Sequence, residues 1–255
     1  MLAINRPVEF VDRMSGWLDQ TRSRNLAPSA LVPTHHDHLA AAHELLGVTA
    51  CRECAAELPD VRSAVGGRLG RFSHQDGGMV LAETLWVLVR HLRPEQVVET
   101  GVARGISSAF TLEAMARNGT GHLWSIDLPP LGGDWESQIG IAVAAERRDR
   151  WTYIRGASRR ILPGLLARLG RIDLFTHDGL HTRKCQDFEY RAAWARIRDG
   201  GALVSDDANF SDAFADFAAE VLAIPVMVGE PAKEGIIGLV RREEAHPDAR
   251  ASSRR

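Results

Sequence analysis

The 255-residue sequence has few cysteines, few aromatic side chains and no long apolar run. Three cysteines cannot build a disulfide framework, so nothing indicates an oxidising compartment, and we expect a cytoplasmic protein. No stretch approaches the roughly 18 consecutive apolar residues that a membrane span needs, and the N-terminus lacks the apolar core of a signal peptide. We therefore expect neither export nor a membrane partner.

The sequence also lacks an excess of charge of either sign. It contains 31 lysines and arginines against 33 aspartates and glutamates, a formal net charge of -2. Without a basic excess we expect no nucleic-acid partner, whereas an acidic or a small neutral substrate stays open. The length fits one large α/β domain with an appendage.

The hydrophobic pattern divides the chain into three parts. Residues 1–75 show helical patterning interrupted by Pro28, Pro33 and Pro59, and we predict a helical cap on the substrate side. Residues 76–242 alternate short apolar runs with longer amphipathic stretches, as in a sheet covered by helices on both faces. The polar residues 243–255 are predicted to be a disordered tail. The predicted fold is α/β and Rossmann-like, with a seven-stranded, mostly parallel sheet and an N-terminal helical cap.

The seven predicted strands end with a hairpin. Only residues 229–234 separate the last two strands, which predicts an antiparallel last strand. The strands are predicted at Gln96–Thr100, His122–Ile126, Trp151–Arg155, Ile172–His177, Ala202–Ser205, Pro225–Val228 and Gly235–Arg241.

Serines and glycines mark the ends of predicted helices. Ser107 or Ser108 is expected to cap a helix that ends at Gly119, and Ser158 is expected to cap one that ends at Gly170. A further helix is predicted after His181, because apolar residues recur there at helical spacing.

The first predicted strand leads into a turn with two glycines, Gly101 and Gly105, and then a helix. Glycines let the backbone approach a ligand closely, although such a turn also occurs without one. A dinucleotide fingerprint needs a glycine where Ala103 stands and a third glycine that is missing, which argues against NAD. Asp127 ends the second strand, where it can accept hydrogen bonds from the ribose of an adenosine; an ordinary loop aspartate is the alternative.

Three aspartates follow two later strands. Asp178 follows the strand that ends at His177, and Asp206 and Asp207 follow the strand that ends at Ser205. If these strands are neighbours, the carboxylates converge and repel one another unless they are protonated or bridged by a cation. Oxygen ligands favour a hard divalent metal, Mg²⁺ by default, with Mn²⁺ or Ca²⁺ as substitutes. In the alternative, Asp206 and Asp207 only cap the next helix.

Five segments in this order resemble the class I S-adenosylmethionine-dependent methyltransferases: ETGVARGISS, SIDLP, RGASRRILPGL, FTHDGLH and LVSDDANF. More narrowly, they resemble the divalent-metal-dependent O-methyltransferases of the catechol and caffeoyl-CoA type and the related natural-product sugar and macrolide enzymes. The resemblance covers residues 75–242. It implies an S-adenosyl-L-methionine cofactor and methylation of a small-molecule hydroxyl, in secondary-metabolite-like chemistry.

The resemblance assigns roles to most of the predicted cofactor-binding residues. Glu99 and Gly101 would lie beside the methionine portion, Gly105 would allow close approach, and Ser107 would bind the carboxylate. Asp127 would hold the ribose, and Ala157 and Ser158 would contact the adenine. By its place in the loop after the second strand, Trp135 could cover the other face of the adenine, or it could equally be a core or interface aromatic. The full predicted set is Glu99, Gly101, Ala103, Gly105, Ser107, Asp127, Ala157, Ser158 and Asp178.

The resemblance also gives the acidic cluster and His181 their roles. The family's metal site is Asp, Asp, Asn, so the predicted ligands here are Asp178, Asp206 and Asp207, with Asp207 in place of the asparagine; Asn209 could compete for the third position. His181 stands where catechol-type enzymes carry lysine and the natural-product relatives often carry histidine. With Asp178 it forms the predicted catalytic pair, since a neutral imidazole can take the proton of the attacking hydroxyl; a solvent-facing histidine is the alternative.

Two other functions stay open. The chain could be a metal-independent N- or O-methyltransferase with a structural acidic cluster, or a non-catalytic protein that binds S-adenosylmethionine. Neither the acceptor nor the oligomeric state follows from the sequence, and a homodimer formed through the cap is a possibility.

Two N-terminal motifs give weaker signals. Histidines crowd residues 35–43, but their spacing matches no ordinary zinc pattern. Cys51 and Cys54 form a single C-x-x-C without a second pair, which is weak evidence for metal or redox chemistry.

Overall fold

The computed structural model describes residues 6–23, 29–49, 52–72, 79–131, 134–230 and 234–244. Pro28, Cys51 and nearly all of the predicted tail therefore lie outside the described residues. The helices are α1 (Pro7–Ser23), α2 (His38–Leu46), α3 (Arg52–Leu69), α4 (Val80–Leu92), α5 (Ile106–Asn118), α6 (Trp135–Gln138), α7 (Ser158–Leu169), α8 (Arg183–Trp194) and α9 (Ala213–Glu220).

Seven strands form one sheet in the order β3-β2-β1-β4-β5-β7-β6. The first five are parallel, and β7 runs antiparallel to both of its neighbours, so the predicted Rossmann-like sheet with an antiparallel last strand is confirmed. The strands are β1 (Gln96–Thr100), β2 (His122–Asp127), β3 (Trp151–Arg155), β4 (Ile172–His177), β5 (Ile197–Ser205), β6 (Val226–Glu230) and β7 (Gly235–Arg241).

Two apolar layers cover the sheet. On one face, Val97 and Leu174 pack with residues of α4 and α5, and on the other Val98 and Phe175 pack with residues of α7, α8 and α9. Both faces are buried, which explains why consecutive residues such as Val97 and Val98, which face opposite sides of the sheet, are both apolar.

The N-terminal helices α2 and α3 belong to the first of these layers. Ala41, Ala42, Cys54 and Leu58 share one buried cluster with α4 and the sheet, and His35 forms a parallel bridge to Val228 beside the edge strand β6. Helix α1 instead lies across the carboxyl ends of the strands. No helix among the described residues is long and apolar enough to cross a membrane.

Three local predictions were wrong. Helix α5 starts before the serines, with Gly105 at its N-cap and no side-chain cap, because Ser107 and Ser108 turn inward to Glu99. Ser158 is likewise inside helix α7 and does not cap it. Pro59 does not interrupt α3, whose buried residues Cys54, Leu58, Val61, Val65 and Leu69 hold the helix together across the proline.

Candidate active site

Strand register brings the predicted acidic residues together. Thr100 of β1 pairs with His177 of β4, and His177 pairs with Ser205 of β5. Asp178 and Asp206 are the next residues on their strands, and the Asp206 backbone N–H donates to the His177 carbonyl at 2.8 Å. The two carboxylates therefore meet at the carboxyl edge of the sheet, where parallel α/β folds bind ligands.

A pocket of about 650 Å³ opens at this edge. Its size is within the range of small-molecule sites. Helix α1 forms one wall, and the loops after β1, β2, β3 and β4 form the others. Of the predicted cofactor residues, Gly101, Ala103, Asp127, Ala157, Ser158 and Asp178 line it, as does Trp135.

Gly101 lies where the loop after β1 passes directly against the backbone of Asp178. Its φ is +84°, and a Cβ built there would lie 1.9 Å from the carbonyl oxygen of Asp178. Both features exclude any other residue without a backbone shift. The glycine therefore fixes the loop after β1 against Asp178.

Glu99 does not line the pocket; it is buried behind the loop. Its carboxylate accepts hydrogen bonds from Ser108 and Ser125, and Ser107 lies 3.5 Å away. Burial, assisted by the charge of Asp127, raises the pKa of Glu99 to about 7. Gly105 is also outside the lining, because it packs against the backbone of Gly140.

Asp127 is hydrogen-bonded to the backbone of the glycine-rich loop after β1. Its Oδ2 accepts the backbone N–H groups of Val102 and Ala103 at 3.2 and 3.0 Å. Burial raises the pKa of this carboxyl group against the lowering effect of those N–H donors. Asp127 thus offers the pocket a hydrogen-bond acceptor in the predicted position.

The candidate metal ligands overlap with the predicted set but do not coincide with it. Among the described residues, Asp178, His181 and Asp206 offer ligand atoms that all lie within 4.8 Å of one another. Asp207 is not part of this group: it has φ +44° and its Oδ2 lies 3.2 Å from Nδ1 of His181. On the other side of the ring, Nε2 lies 3.9 Å from Oδ1 of Asp178.

A buried polar network that the sequence reasoning missed lies beneath the pocket. Glu189 is fully buried and accepts hydrogen bonds from Thr100 Oγ1 at 2.5 Å and from Cys185 Sγ at 3.2 Å, with His177 Nδ1 at 2.7 Å. Burial acts to raise the pKa of Glu189, but the charge and hydrogen bond of His177 outweigh it and the pKa is lowered. The sequence feature that could have predicted this contact is spacing, because Glu189 follows Cys185 by four residues and so lies on the same helix face.

Ion pairs attach α1 above the pocket. Glu9 contacts Arg155 at 3.0 Å, Asp12 contacts Arg160 at 2.5 Å, and the buried Asp19 contacts Arg159 at 2.9 Å. The arginines flank Gly156, Ala157 and Ser158, the predicted adenine contacts. The helix and the pocket wall are thus tied together at three points.

One family model and several solved structures are similar to this chain. Residues 98–208 match a family model described as a methyltransferase domain. None of the curated proteins matches the sequence. Among solved structures, an SAH-bound methyltransferase of Podospora anserina is similar at a TM-score of 0.50 with 14% identity, covering 94% of this chain and 97% of that one. An O-methyltransferase of Bacillus cereus in complex with SAH is similar at a TM-score of 0.51 with 14% identity, covering 80% and 97%.

Proposed function

We propose that this chain, whose residues 98–208 match a methyltransferase-domain model, is a class I S-adenosylmethionine-dependent methyltransferase that methylates a hydroxyl group of a small molecule with the help of a divalent cation. The carrying observation is that Asp178 belongs both to the pocket lining and to the cluster with His181 and Asp206. Methyl donor and acceptor oxygen would therefore meet at this carboxylate.

The residues present fit both groups. The pocket offers Asp127 at the end of β2, beside the loop at Gly101, as an acceptor for a ribose, and Ala157 and Ser158 as a wall for an adenine. Asp178 and Asp206 supply two carboxylates for one cation, the hard oxygen ligands that Mg²⁺ prefers. S-adenosylmethionine supplies an electrophilic methyl group, and the cation supplies Lewis acidity beside the acceptor oxygen.

In this proposal His181 removes the proton of the acceptor hydroxyl, and Asp207 orients the imidazole ring of His181. With Asp207 at 3.2 Å from Nδ1, the tautomer protonated at Nδ1 is favoured, and Nε2 keeps its lone pair on the side of Asp178. Nε2 of His181 would accept the proton of the acceptor hydroxyl as that oxygen is methylated. This assigns Asp207 to orientation and not to the metal, a role different from the one the family pattern gave it.

A methyl-transfer assay with labelled S-adenosylmethionine tests the proposal. The acceptor panel should contain a flat catechol and a hydroxylated glycoside, each with Mg²⁺ and after exhaustive EDTA treatment. We expect activity that EDTA abolishes and Mg²⁺ restores. Activity that survives EDTA would refute the metal role and leave the metal-independent alternative.

Three variants separate the assigned roles. Asp206→Asn should raise the Mg²⁺ concentration needed for half-maximal activity. His181→Ala should lower kcat without that change, and Asp207→Asn should lower kcat less than His181→Ala. Calorimetric binding of S-adenosylhomocysteine is the control, and it should be retained in all three. If His181→Ala shifts the Mg²⁺ requirement instead, His181 is a ligand and not the base; binding without transfer to any acceptor supports a non-catalytic protein.

A further inference from the structure

The side chain of Arg104 connects the glycine-rich loop after β1 to two aromatic rings. Arg104 belongs to that loop and is only 7% exposed. Its guanidinium carbon lies 4.4 Å from the ring centre of Phe72 and 4.9 Å from a ring centre of Trp135. Phe72 ends the short 3₁₀ turn after α3, and α6 begins at Trp135. One cation therefore contacts rings from the N-terminal helices and from the segment after β2.

Hydrogen bonds fix the orientation of the Arg104 guanidinium. Its Nε and Nη2 both donate to Oε1 of Gln138, at 3.1 and 3.0 Å. Gln138 is the last residue of α6. Because a guanidinium is planar and donates in fixed directions, these bonds set its plane relative to this helix. Arg104 thus contacts α6 at both ends, through the ring of Trp135 and through the amide of Gln138.

The backbones of the same two segments are also joined. The N–H groups of Gly140 and Ala142 donate to the carbonyl oxygens of Ala103 and Arg104, at 3.0 and 2.9 Å. A Cβ built on Gly105 would lie 2.8 Å from the Cα of Gly140, so the two segments are in direct contact. These backbone contacts do not need the Arg104 side chain, and we expect the loop to keep its path when that side chain is changed.

Trp135 is one of the residues that line the pocket. It shares the lining with Asp127, the residue proposed to hold the ribose. An indole ring offers a large flat face on which an adenine base can stack. Helix α6 has only four residues, too few to be stable without contacts to other segments. A buried cation against the indole supplies such a contact and restricts the ring.

We infer that Arg104 is a positioning residue that holds the indole ring of Trp135 at the end of the pocket assigned to the adenine. The inference rests on the proposed function, since it needs an adenosine cofactor in this pocket. Arg104 is not part of the pocket lining, so it acts on the cofactor through Trp135. Phe72 contacts the same guanidinium, and the end of α3 therefore takes part in holding it.

Calorimetry with two ligands tests the inference: S-adenosylhomocysteine, and 5′-methylthioadenosine, which lacks the amino-acid portion. Arg104→Met removes the guanidinium and keeps an apolar stem, and we expect about 5- to 20-fold weaker binding of both ligands. Trp135→Leu should weaken binding to a similar extent. The double variant should bind about as well as the weaker single variant, because both changes remove the same contact. Arg104→Lys keeps the cation without the paired bonds to Gln138 and should be intermediate.

Arg168→Met is the matched control. The guanidinium carbon of Arg168 lies 4.7 Å from a ring centre of Trp124, which is not among the pocket-lining residues. We expect this variant to keep both affinities within about twofold of wild type. Should Arg104→Met fold poorly, Arg104→Lys takes its place in the comparison with Trp135→Leu.

The contrary outcomes are distinct. Wild-type affinity in Arg104→Met or in Trp135→Leu would overturn the inference, and so would losses that simply add in the double variant. Weaker binding of S-adenosylhomocysteine with unchanged binding of 5′-methylthioadenosine would place Trp135 at the methionine portion and overturn its assignment to the adenine. A wild-type chain that binds neither ligand would overturn the proposed function, and the role of Arg104 with it.

Discussion

Removing the charge of Glu9 tests whether ion pairs hold α1 over the pocket. Glu9 lies between Arg13 and Arg155, at 2.6 and 3.0 Å, and its side chain is 11% exposed. Burial acts to raise its pKa, but the hydrogen bonds and charges of the arginines prevail and lower it from 4.5 to about 2. We expect Glu9→Gln to loosen the helix and weaken cofactor binding.

The magnitude follows from the pKa shift. The lowering of the Glu9 pKa from 4.5 to about 2 corresponds to a stabilisation of the folded state by at most about 3.4 kcal/mol. Exposed ion pairs contribute only about 0.2–1 kcal/mol each, and the side chain of Arg155 is 24% exposed. We therefore expect Glu9→Gln to cost about 1–2 kcal/mol, which is roughly a 5- to 30-fold weaker affinity for S-adenosylhomocysteine if the helix closes over it.

Calorimetry of S-adenosylhomocysteine binding and hydrogen exchange of residues 7–23 measure the effect. Because the folded-state pKa of Glu9 is below 4.5, its stabilisation is complete above that pH and is lost as the pH falls towards 2. Asp187→Asn is the matched control, since it removes an exposed pair with Arg191 away from the pocket. An affinity within about twofold of wild type, roughly 0.4 kcal/mol, with unchanged exchange in α1, would refute the reasoning.

Three further predictions concern buried groups around the pocket. Gly101→Ala should destabilise the fold by about 3 kcal/mol or more and abolish cofactor binding, because its Cβ would collide with the Asp178 carbonyl; denaturant unfolding and calorimetry measure this. Raising the pH from 4.5 to 7 should cost about 3 kcal/mol of stability through Glu99, whose folded-state pKa is raised, and Glu99→Gln should remove that slope. Glu189→Ala should cost about 3–5 kcal/mol in unfolding free energy, because it breaks the buried pair with His177.

Each of these predictions has its own control or contrary outcome. Gly164 lies in helix α7 with open space at its Cβ position, so Gly164→Ala should be neutral or stabilising. Identical pH slopes of stability for wild type and Glu99→Gln would show that Glu99 titrates normally. Glu220→Ala, which removes an exposed pair with Arg191, should cost less than about 1 kcal/mol; a Glu189→Ala effect no larger than this would contradict the buried-pair argument.

Strand positions followed from the sequence because a parallel sheet buried on both faces leaves a strong local signal. Four of the seven predicted strands match the structure at both ends, Gln96–Thr100 among them. The largest exception involves glycine: β5 starts at Ile197, well before the predicted Ala202, since the strand continues through Gly200 and Gly201. The predicted cap at Ser107 or Ser108 was wrong because these serines contact Glu99 of β1 and not the helix backbone. That contact depends on the neighbouring strand, which the local sequence does not show.

The sequence by itself determined the order of the strands along the chain and the residues at their carboxyl ends, which is why Gly101, Asp127 and Asp178 could be predicted at the pocket. Only the tertiary structure decided which side chains share a contact. It joined His181 to Asp207, buried Glu189 against His177, and laid α1 over the pocket. These contacts link residues from different helices and loops, and their distances depend on strand register and helix packing, which no local sequence pattern encodes.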